Sequence, residues 1–173
     1  MRCACSRAAP VAIDLYRIDD RLIHGQVIVG WGQPMDLGFI VLVDDEVAGS
    51  EWERELYRMG VPPETALYFA SVDEAVARLD EWRADPRHGI LLTGDVDTMR
   101  RLTERAPAIR EVNVGGIHHR PGRTERLRYV FLSAEEEQIL RGMEARGVVV
   151  TVRDVPSARA LRLGDLVGAA RTA

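Results

Sequence analysis

Short apolar runs alternate with longer amphipathic stretches along the chain, and Gly, Pro, Asp or Ser residues separate them. The short runs are rich in β-branched residues, which is typical of strands, whereas the longer stretches repeat apolar residues at helical spacing. Alternation of this kind indicates a repeating β/α domain. We therefore expect a single doubly wound α/β domain with a mostly parallel central β-sheet, flanked by helices on both faces.

Seven segments have the pattern of strands. The run LGFIVLVDD from Leu37 is nearly continuous in aliphatic and β-branched residues, as expected of a parallel strand buried on both faces, and it is predicted to be central in the sheet. The other predicted strands are VAIDLYRI from Val11, TALYFAS, GILLTGD, REVNVGG, LRYVFLS as the sixth and GVVVTVRDV from Gly147 as the last.

Helices are predicted between these strands. Three Ser-x-x-Glu sequences, which begin at Ser50, Ser71 and Ser133, have the spacing of a capping box and each precedes a helical pattern. The stretch GQVIVGWG from Gly25 is predicted to be a short helix. Further helices are predicted around Val96 to Arg105 and, weakly, near Leu163 to Ala170.

Length and composition limit the domain organisation. With 173 residues, 46% of them hydrophobic, the chain can bury one good core but is too short for two ordinary domains. Residues 1–10 are predicted to be a disordered N-terminal extension and residues 11–173 one domain. No run approaches the roughly 18 apolar residues that span a bilayer, and the first ten residues lack the apolar stretch of a signal peptide. We expect a cytosolic protein.

Charge and residue usage exclude several kinds of chemistry. The formal net charge of -4 argues against nucleic-acid binding, and the complete lack of lysine excludes a Schiff base or a P-loop lysine. Cys3 and Cys5 form a C-x-C pair, too few for a disulfide framework or a complete zinc site. His118 and His119 are adjacent, so they would point to opposite sides of an extended chain. We expect no metal site.

One loop combines residues that suit anion chemistry. The stretch YRIDDRLIHGQV, from Tyr16 to Val27, lies where the first strand passes into a predicted helix, and ligands of doubly wound sheets bind at such crossings. His24 falls in this loop beside a helix N-terminus, whose free amide groups attract anions. Gly25 leaves room for an oxyanion and tolerates positive φ. We interpret Gly25 and Gln26 as a phosphate-binding loop.

Arg21 and two aspartates complete this candidate site. A guanidinium group suits bidentate contact with phosphate oxygens. A neutral imidazole offers one ring nitrogen as a nucleophile, and Asp19 or Asp20 can fix the other nitrogen; the sequence leaves both aspartates open. The combination predicts a histidine that accepts a phosphoryl group. Two simpler interpretations also remain, with His24 as a surface or capping residue and Arg21 as the salt-bridge partner of an aspartate.

A second segment is expected near the same crevice. The sequence NVGG ends the fifth predicted strand with two glycines, so that backbone comes close to the site, although a tight turn is an equally good interpretation. The residues concerned are Asn113, Gly115 and Gly116. Thr93 ends the fourth strand, where its hydroxyl could donate to a phosphate group or cap the next helix.

Four segments of the sequence resemble a known family. They are RIDDRLIHGQV followed by Trp31, VDDEVA at Val43 to Ala48, LLTGD near Leu91, and VNVGGIHHRPGRT at Val112 to Thr124. In order and spacing they resemble the IIB components of the mannose/fructose/sorbose family of the bacterial phosphoenolpyruvate-dependent sugar phosphotransferase system (PTS). The resemblance extends from about Ala12 to the C-terminus and implies a doubly wound α/β fold.

The resemblance also implies a function. His24 would take a phosphoryl group from a histidine of a PTS IIA protein and pass it to a sugar during uptake through the membrane components IIC and IID, with Nδ1 as the modified nitrogen. Arg21 would steady the phosphoryl group, and Asp19 or Asp20 would flank it. No metal or other cofactor is implied, and the protein would be cytoplasmic or held at the inner membrane by IIC and IID.

Two other functions fit the same residues. In the first, phosphorylated and unphosphorylated His24 select different protein partners in a regulatory module of an incomplete PTS, and no sugar is moved. In the second, the crevice binds a small anion and His24 is never modified.

Overall fold

The computed structural model describes residues 13–167. Within this range the strands are β1 (Ile13–Ile18), β2 (Leu37–Val43), β3 (Ala66–Ala70), β4 (His88–Thr93), β5 (Glu111–Val114), β6 (Thr124–Leu127), β7 (Val130–Leu132), β8 (Val149–Val152) and β9 (Leu161–Arg162). Seven of them form one sheet in the order β3-β2-β4-β1-β5-β8-β9. All neighbours in this sheet pair in parallel except β8 and β9, which are antiparallel. The predicted mostly parallel sheet is confirmed.

Helices connect the strands. They are a π-helical segment (Gln26–Gly32) that continues into α1 (Gln33–Met35), then α2 (Asp45–Gly49), α3 (Glu51–Arg58), α4 (Val72–Arg83), α5 (Val96–Arg105), α6 (Ala134–Ala145) and α7 (Leu163–Val167). None of these helices is long and apolar enough to cross a membrane. The predicted extension at residues 1–10, the start of the first predicted strand and the end of the last predicted helix lie outside the described residues.

Helices cover both faces of the sheet, as predicted. One face packs against α4, α5 and α6, which contribute Leu79, Met99 and Leu140 to the larger apolar cluster. The opposite face packs against the π-helical segment and α2, which contribute Trp31 and Val47 to a smaller cluster. This second layer lies directly beneath the loop that follows β1.

The position of β2 differs from the prediction. Its residues from Phe39 to Val43 are completely buried, as the apolar run indicated. However, β1 holds the middle of the sheet, and β2 is second from the edge. A strand with one neighbour on each side and helices on both faces is fully buried wherever it lies, so burial alone does not identify the middle strand.

The predicted sixth strand is not part of the main sheet. Val130–Leu132 pairs with Thr124–Leu127 in a separate antiparallel hairpin, which contacts the rest through a bridge between Ile117 and Val130. The sequence of β6, TERL, has no apolar alternation, and β9 is only two residues long. Such short or polar strands carry little pattern, and both were missed, as was the five-residue helix α2.

The capping predictions agree with the helix starts. Ser71 and Ser133 each form a complete capping box, with Glu74 and Glu136 respectively. The side chain of Ser50 accepts a hydrogen bond from the Glu53 amide, which is one half of the box. The starts of α3, α4 and α6 are thus specified by the local sequence.

Candidate functional site

The loop after β1 is attached to the ends of two neighbouring strands. Ile18, the last residue of β1, lies between Thr93 of β4 and Val114 of β5. The Asp19 amide donates to the Thr93 carbonyl at 2.9 Å, and the Asp20 amide donates to the Gly116 carbonyl at 2.9 Å. The loop therefore starts from a rigid edge of the sheet.

Leu22 gives this loop an unusual backbone conformation. Its φ of 54° lies in the left-handed region, which leucine rarely adopts and which costs on the order of 1 to 3 kcal/mol. The side chain is buried in the same apolar cluster as Val27 and Trp31, which holds the conformation. As a result, the Leu22 carbonyl faces the ring of His24. Strain of this kind concentrates at functional sites.

His24 lies at the rim of the crevice with 17% of its side chain exposed. Its Nδ1 is 2.9 Å from the Leu22 carbonyl oxygen. Its Nε2 is 3.4 Å from Gln26 Oε1 and 3.8 Å from Asp19 Oδ2. Each ring nitrogen thus faces an oxygen acceptor, and the ring is held in place while part of it can be reached from solvent.

Of the two candidate aspartates, Asp19 is the one that faces His24. Its side chain is completely buried, and Oδ2 accepts hydrogen bonds from Arg17 Nη2 at 2.8 Å and from the Gly116 amide at 3.1 Å. Oδ1 accepts from the Arg21 amide at 3.3 Å. The carboxylate is therefore well supplied with donors beneath the imidazole.

Asp20 has a different role in the structure. It accepts hydrogen bonds from His118 Nδ1 at 2.6 Å and from the His118 amide at 2.8 Å, and Arg123 Nη1 is 3.6 Å away. No contact between Asp20 and His24 is found among the described residues. Asp20 attaches the loop to the segment after β5, whereas Asp19 contacts the ring.

Arg21 and Gln26 are hydrogen-bonded to each other beside the histidine. Arg21 Nη2 donates to Gln26 Oε1, and Arg21 Nε is 3.7 Å from Asp19 Oδ1. The Arg21 side chain is 41% exposed, so the guanidinium can move to an incoming anion. Gln26 Nε2 donates to Asp154 Oδ2 at 3.1 Å, which connects the loop to the end of β8.

Gly25 provides space rather than an unusual backbone conformation. Its φ is -54°, so the expected tolerance of positive φ is not used. A Cβ atom at this position would have no heavy atom within 4 Å. Within the described part of the chain no side chain caps the segment that follows, and the amides of Val27 and Ile28 both donate to the His24 carbonyl at 3.0 Å. The open space next to His24 is large enough for a ligand atom to approach the backbone.

Arg17 is a site residue that sequence reasoning missed. It is completely buried and donates to Asn113 Oδ1 at 2.6 Å. Its guanidinium carbon Cζ lies 5.3 Å from the centroid of the Trp31 ring. Burial lowers the pKa of Arg17 below its usual value, and the neighbouring Asp19 carboxylate opposes part of this shift. The available signal was an arginine within an apolar strand directly before two aspartates. Together, Arg17 and Asp19 form a buried ion pair beneath the loop.

The segment after β5 supports this ion pair. Asn113 accepts from Arg17, and a side chain on Gly115 would collide with the Arg17 guanidinium. A Cβ atom on Gly116 would lie 3.2 Å from Asp19 Oδ1 and 3.4 Å from Arg21 Nη2. The predicted segment therefore does meet the loop, with Asn113 and Gly115 below it and Gly116 at the crevice.

Thr93 contributes its backbone rather than its hydroxyl. The side chain is completely buried, and Oγ1 donates to the Asp95 carbonyl at 3.3 Å. Asp95 caps α5, since its side chain accepts from the Thr98 amide. The hydroxyl is bonded to the Asp95 carbonyl rather than exposed in the crevice, and it does not cap the helix, because Asp95 lies two residues closer to the helix start.

The two adjacent histidines diverge. His118 bonds to Asp20, whereas the His119 ring packs edge-on against Phe131 with 5.6 Å between ring centroids. Among residues 13–167 there is no group of three His, Cys, Asp or Glu side chains arranged to hold a metal ion.

Asp154 is a second site residue that sequence reasoning did not identify. It is 128 residues from Gln26 along the chain, and no local motif links the two residues. The available signal was its position just after a parallel strand, which is the same rule that identified the His24 loop.

Comparison with known proteins identifies the family. Residues 13–173 match the family model described as the PTS system sorbose subfamily IIB component. The chain is 32% identical over 158 residues to the PTS system mannose-specific EIIAB component of Escherichia coli (strain K12), which covers 91% of this chain and 49% of that protein. The chain thus spans about half the length of that relative.

A shorter relative is covered almost completely. The N-acetylgalactosamine-specific phosphotransferase enzyme IIB component 1 of Escherichia coli (strain K12) is 32% identical over 155 residues, which cover 87% of this chain and 96% of that protein.

Solved structures agree with the sequence match. The IIBSor domain of the sorbose permease from Klebsiella pneumoniae superposes with a TM-score of 0.82 at 28% identity, covering 93% of this chain and 99% of that one. The manxB structure from Thermoanaerobacter tengcongensis gives a TM-score of 0.81 at 30% identity, covering 95% and 100%. The resemblance inferred from the four sequence segments is confirmed. The chain belongs to the sorbose-subfamily IIB components of the PTS.

Proposed function

We propose that His24 is the covalent phosphoryl carrier of this protein. It accepts a phosphoryl group from a phosphohistidine of a IIA protein and passes it to a sugar that enters through IIC and IID. The observation that carries this proposal is the placement of a partly exposed imidazole between the buried Asp19 carboxylate and the partly exposed Arg21 guanidinium, beside the open space at Gly25. The protein acts in the cytoplasm and meets IIC and IID at the inner membrane.

Two transfers make up the reaction. In the first, the lone pair of a His24 ring nitrogen attacks phosphorus while the N–P bond of the IIA phosphohistidine breaks and its electron pair returns to that imidazole. In the second, a sugar hydroxyl oxygen attacks phosphorus, the N–P bond to His24 breaks with its electron pair returning to the imidazole, and the hydroxyl proton passes to that freed imidazole. The phosphoryl group is carried on His24, and no metal or cofactor is part of the proposal.

The side chains around His24 suit such a transfer. A loose phosphoryl-transfer transition state is served by positioning and by fixed donors. Arg21 can exchange its contacts with Gln26 and Asp19 for two phosphoryl oxygens, because guanidinium binds such oxygens in a bidentate manner. Arg17 pairs with the Asp19 carboxylate beneath the ring and compensates its charge.

The ring must also release one of its contacts. In the described conformation Nδ1 is engaged with the Leu22 carbonyl at 2.9 Å. Phosphorylation at Nδ1, which the family resemblance implies, therefore requires that hydrogen bond to break. A half-turn of the ring about its Cβ–Cγ bond would achieve this without moving the backbone.

Incubation with a phosphorylated IIA protein tests the proposal. The wild-type chain should acquire an acid-labile, alkali-stable phosphoryl group, and His24→Ala should acquire none. His88→Ala is a matched control, because His88 is an exposed histidine that contacts Asp14 at the amino end of β1. It should be labelled like the wild type. Equal labelling of His24→Ala would contradict the assignment.

A further inference from the structure

The carboxylate of Asp154 lies in the site, although the proposed transfer does not use it. Oδ2 accepts a hydrogen bond from Gln26 Nε2 at 3.1 Å. Oδ1 is buried and has no hydrogen-bond partner among residues 13–167. A buried carboxylate oxygen without a donor is unfavourable, so hydrogen bonding by Oδ1 does not explain why this residue is an aspartate, although its negative charge does oppose the lowering of the Arg17 pKa by burial.

Asp154 determines which end of the Gln26 amide faces His24. An ionised carboxylate can only accept hydrogen bonds, so it requires the NH₂ group of Gln26 to point toward it. Gln26 Oε1 is then directed to the opposite side, where it accepts from Arg21 Nη2 and lies 3.4 Å from His24 Nε2. Asp154 therefore causes Gln26 to present an acceptor rather than a donor to the histidine.

This orientation disfavours a phosphoryl group on His24. Phosphoryl oxygens are acceptors that carry negative charge. After the half-turn that brings Nδ1 to the side of the ring now occupied by Cδ2 and Nε2, they would meet Gln26 Oε1 and Asp19 Oδ2, which are 3.4 Å and 3.8 Å from Nε2 in the present ring orientation. The same Gln26 oxygen also competes for the Arg21 guanidinium. If the amide turned, its NH₂ group would instead donate to the phosphoryl group and Arg21 would be released.

We propose that Asp154 is a positioning residue that acts through Gln26 to shorten the lifetime of the phosphoryl group on His24 and so favours its onward transfer. The proposal rests on the proposed function, because it requires His24 to be phosphorylated. Loss of the carboxylate frees the Gln26 amide to turn and stabilises the phosphohistidine.

The lifetime of the phosphohistidine provides the test. Each full-length protein is phosphorylated with phosphoramidate, whose P–N bond breaks as the phosphoryl group moves to the imidazole and ammonia leaves. After removal of the donor, mass spectrometry of alkali-quenched samples follows the phosphoryl group mapped to His24. Asp154→Asn should lengthen its half-life about fivefold, the factor that one ordinary hydrogen bond is worth.

Two comparisons separate this role from a purely structural one. Asp80→Asn is the matched control, since its carboxylate is 95% exposed on α4, where it pairs with Arg83; it should leave the half-life unchanged. In a Gln26→Leu background Asp154→Asn should have no further effect, because the proposed coupling passes through the Gln26 amide. The backbone carbonyl of Asp154, which accepts from Trp31 and Arg17, is present in all variants.

The outcomes are distinct. An unchanged or shorter half-life in Asp154→Asn overturns the inference, and so does an equal effect in the Gln26→Leu background. Asp154→Ala replaces Asp154→Asn if the latter does not fold, as judged by circular dichroism. A wild-type chain that carries no phosphoryl group on His24 would defeat the proposed function itself, and this inference with it.

Discussion

The loops after β1 and β3 leave the same edge of the same sheet, and both lead into helices. They differ in whether side chains accept hydrogen bonds from the first backbone amides of the helix. After β3, Ser71 Oγ accepts from the Glu74 amide at 3.2 Å, and Glu74 Oε2 accepts from the Ser71 amide at 2.8 Å. Asp45 Oδ1 accepts from the Val72 amide at 2.9 Å. Side chains of the protein thus satisfy this helix start.

After β1, no side chain among residues 13–167 caps the helical segment. Leu22 adopts a left-handed conformation, the segment begins with π-helical turns, and a buried ion pair lies beneath. π-Helical turns and strained residues are both associated with functional sites. Side chains cap the helix start after β3, whereas the crossing after β1 leaves polar groups accessible, as the proposed phosphoryl carrier requires.

The largest expected effect is at the ion pair that supports the loop after β1. Arg17→Met leaves Asp19 buried without its charge partner, which should lower the free energy of unfolding by about 3 to 5 kcal/mol. Urea denaturation measures this change. Arg21→Met, at a side chain that is 41% exposed, should change it by less than about 0.5 kcal/mol. Equal losses in both variants would show that the loop does not depend on the buried pair.

A somewhat smaller effect is expected at Gly115. A methyl group there would collide with the Arg17 guanidinium, so Gly115→Ala should lower the free energy of unfolding by roughly 1 to 3 kcal/mol. Gly49→Ala serves as the control, because a Cβ atom at Gly49 meets nothing within 4 Å. If thermal denaturation finds the two alanine variants equally stable, the Arg17 guanidinium can move aside and the close approach is not required.

At the crossing after β3, the expected effect is confined to stability. Ser71→Ala removes the capping box of α4 and should lower the free energy of unfolding by about 1 kcal/mol. The rate at which phosphoramidate phosphorylates His24 should stay at the wild-type value. A slower rate would mean that the two crossings are coupled rather than specialised.

The smallest effect on stability is expected at Gly25. Because its φ is -54° and the surrounding space is open, Gly25→Ala should change the free energy of unfolding by less than about 0.5 kcal/mol. The added methyl group occupies the space proposed for the phosphoryl group, so phosphorylation of His24 should be slower. An unchanged rate measured by mass spectrometry would place the phosphoryl group elsewhere in the crevice.

Features fixed by nearby residues could be predicted from the sequence. The capping boxes at Ser71 and Ser133 span three residues each, and α5 begins and ends at the residues predicted, Val96 and Arg105. The candidate site was found in the same way, because His24, Arg21 and Asp19 lie within six consecutive residues.

Features fixed by distant contacts could not be predicted. The choice between Asp19 and Asp20 depends on Gly116 and His118, which come from the segment after β5. The Arg17 contact with Asn113 spans 96 residues. The left-handed conformation of Leu22 contradicts the preference of leucine, and its side chain is buried in an apolar cluster that includes the distant residues Ile40 and Ile90.

The most direct test of the central claim is to locate the phosphoryl group on the protein purified from its host under alkaline conditions. We predict one phosphoryl group per chain, on the peptide that contains His24. A phosphoryl group on any other histidine, or a chain that carries none while the IIA donor is phosphorylated, would contradict the account.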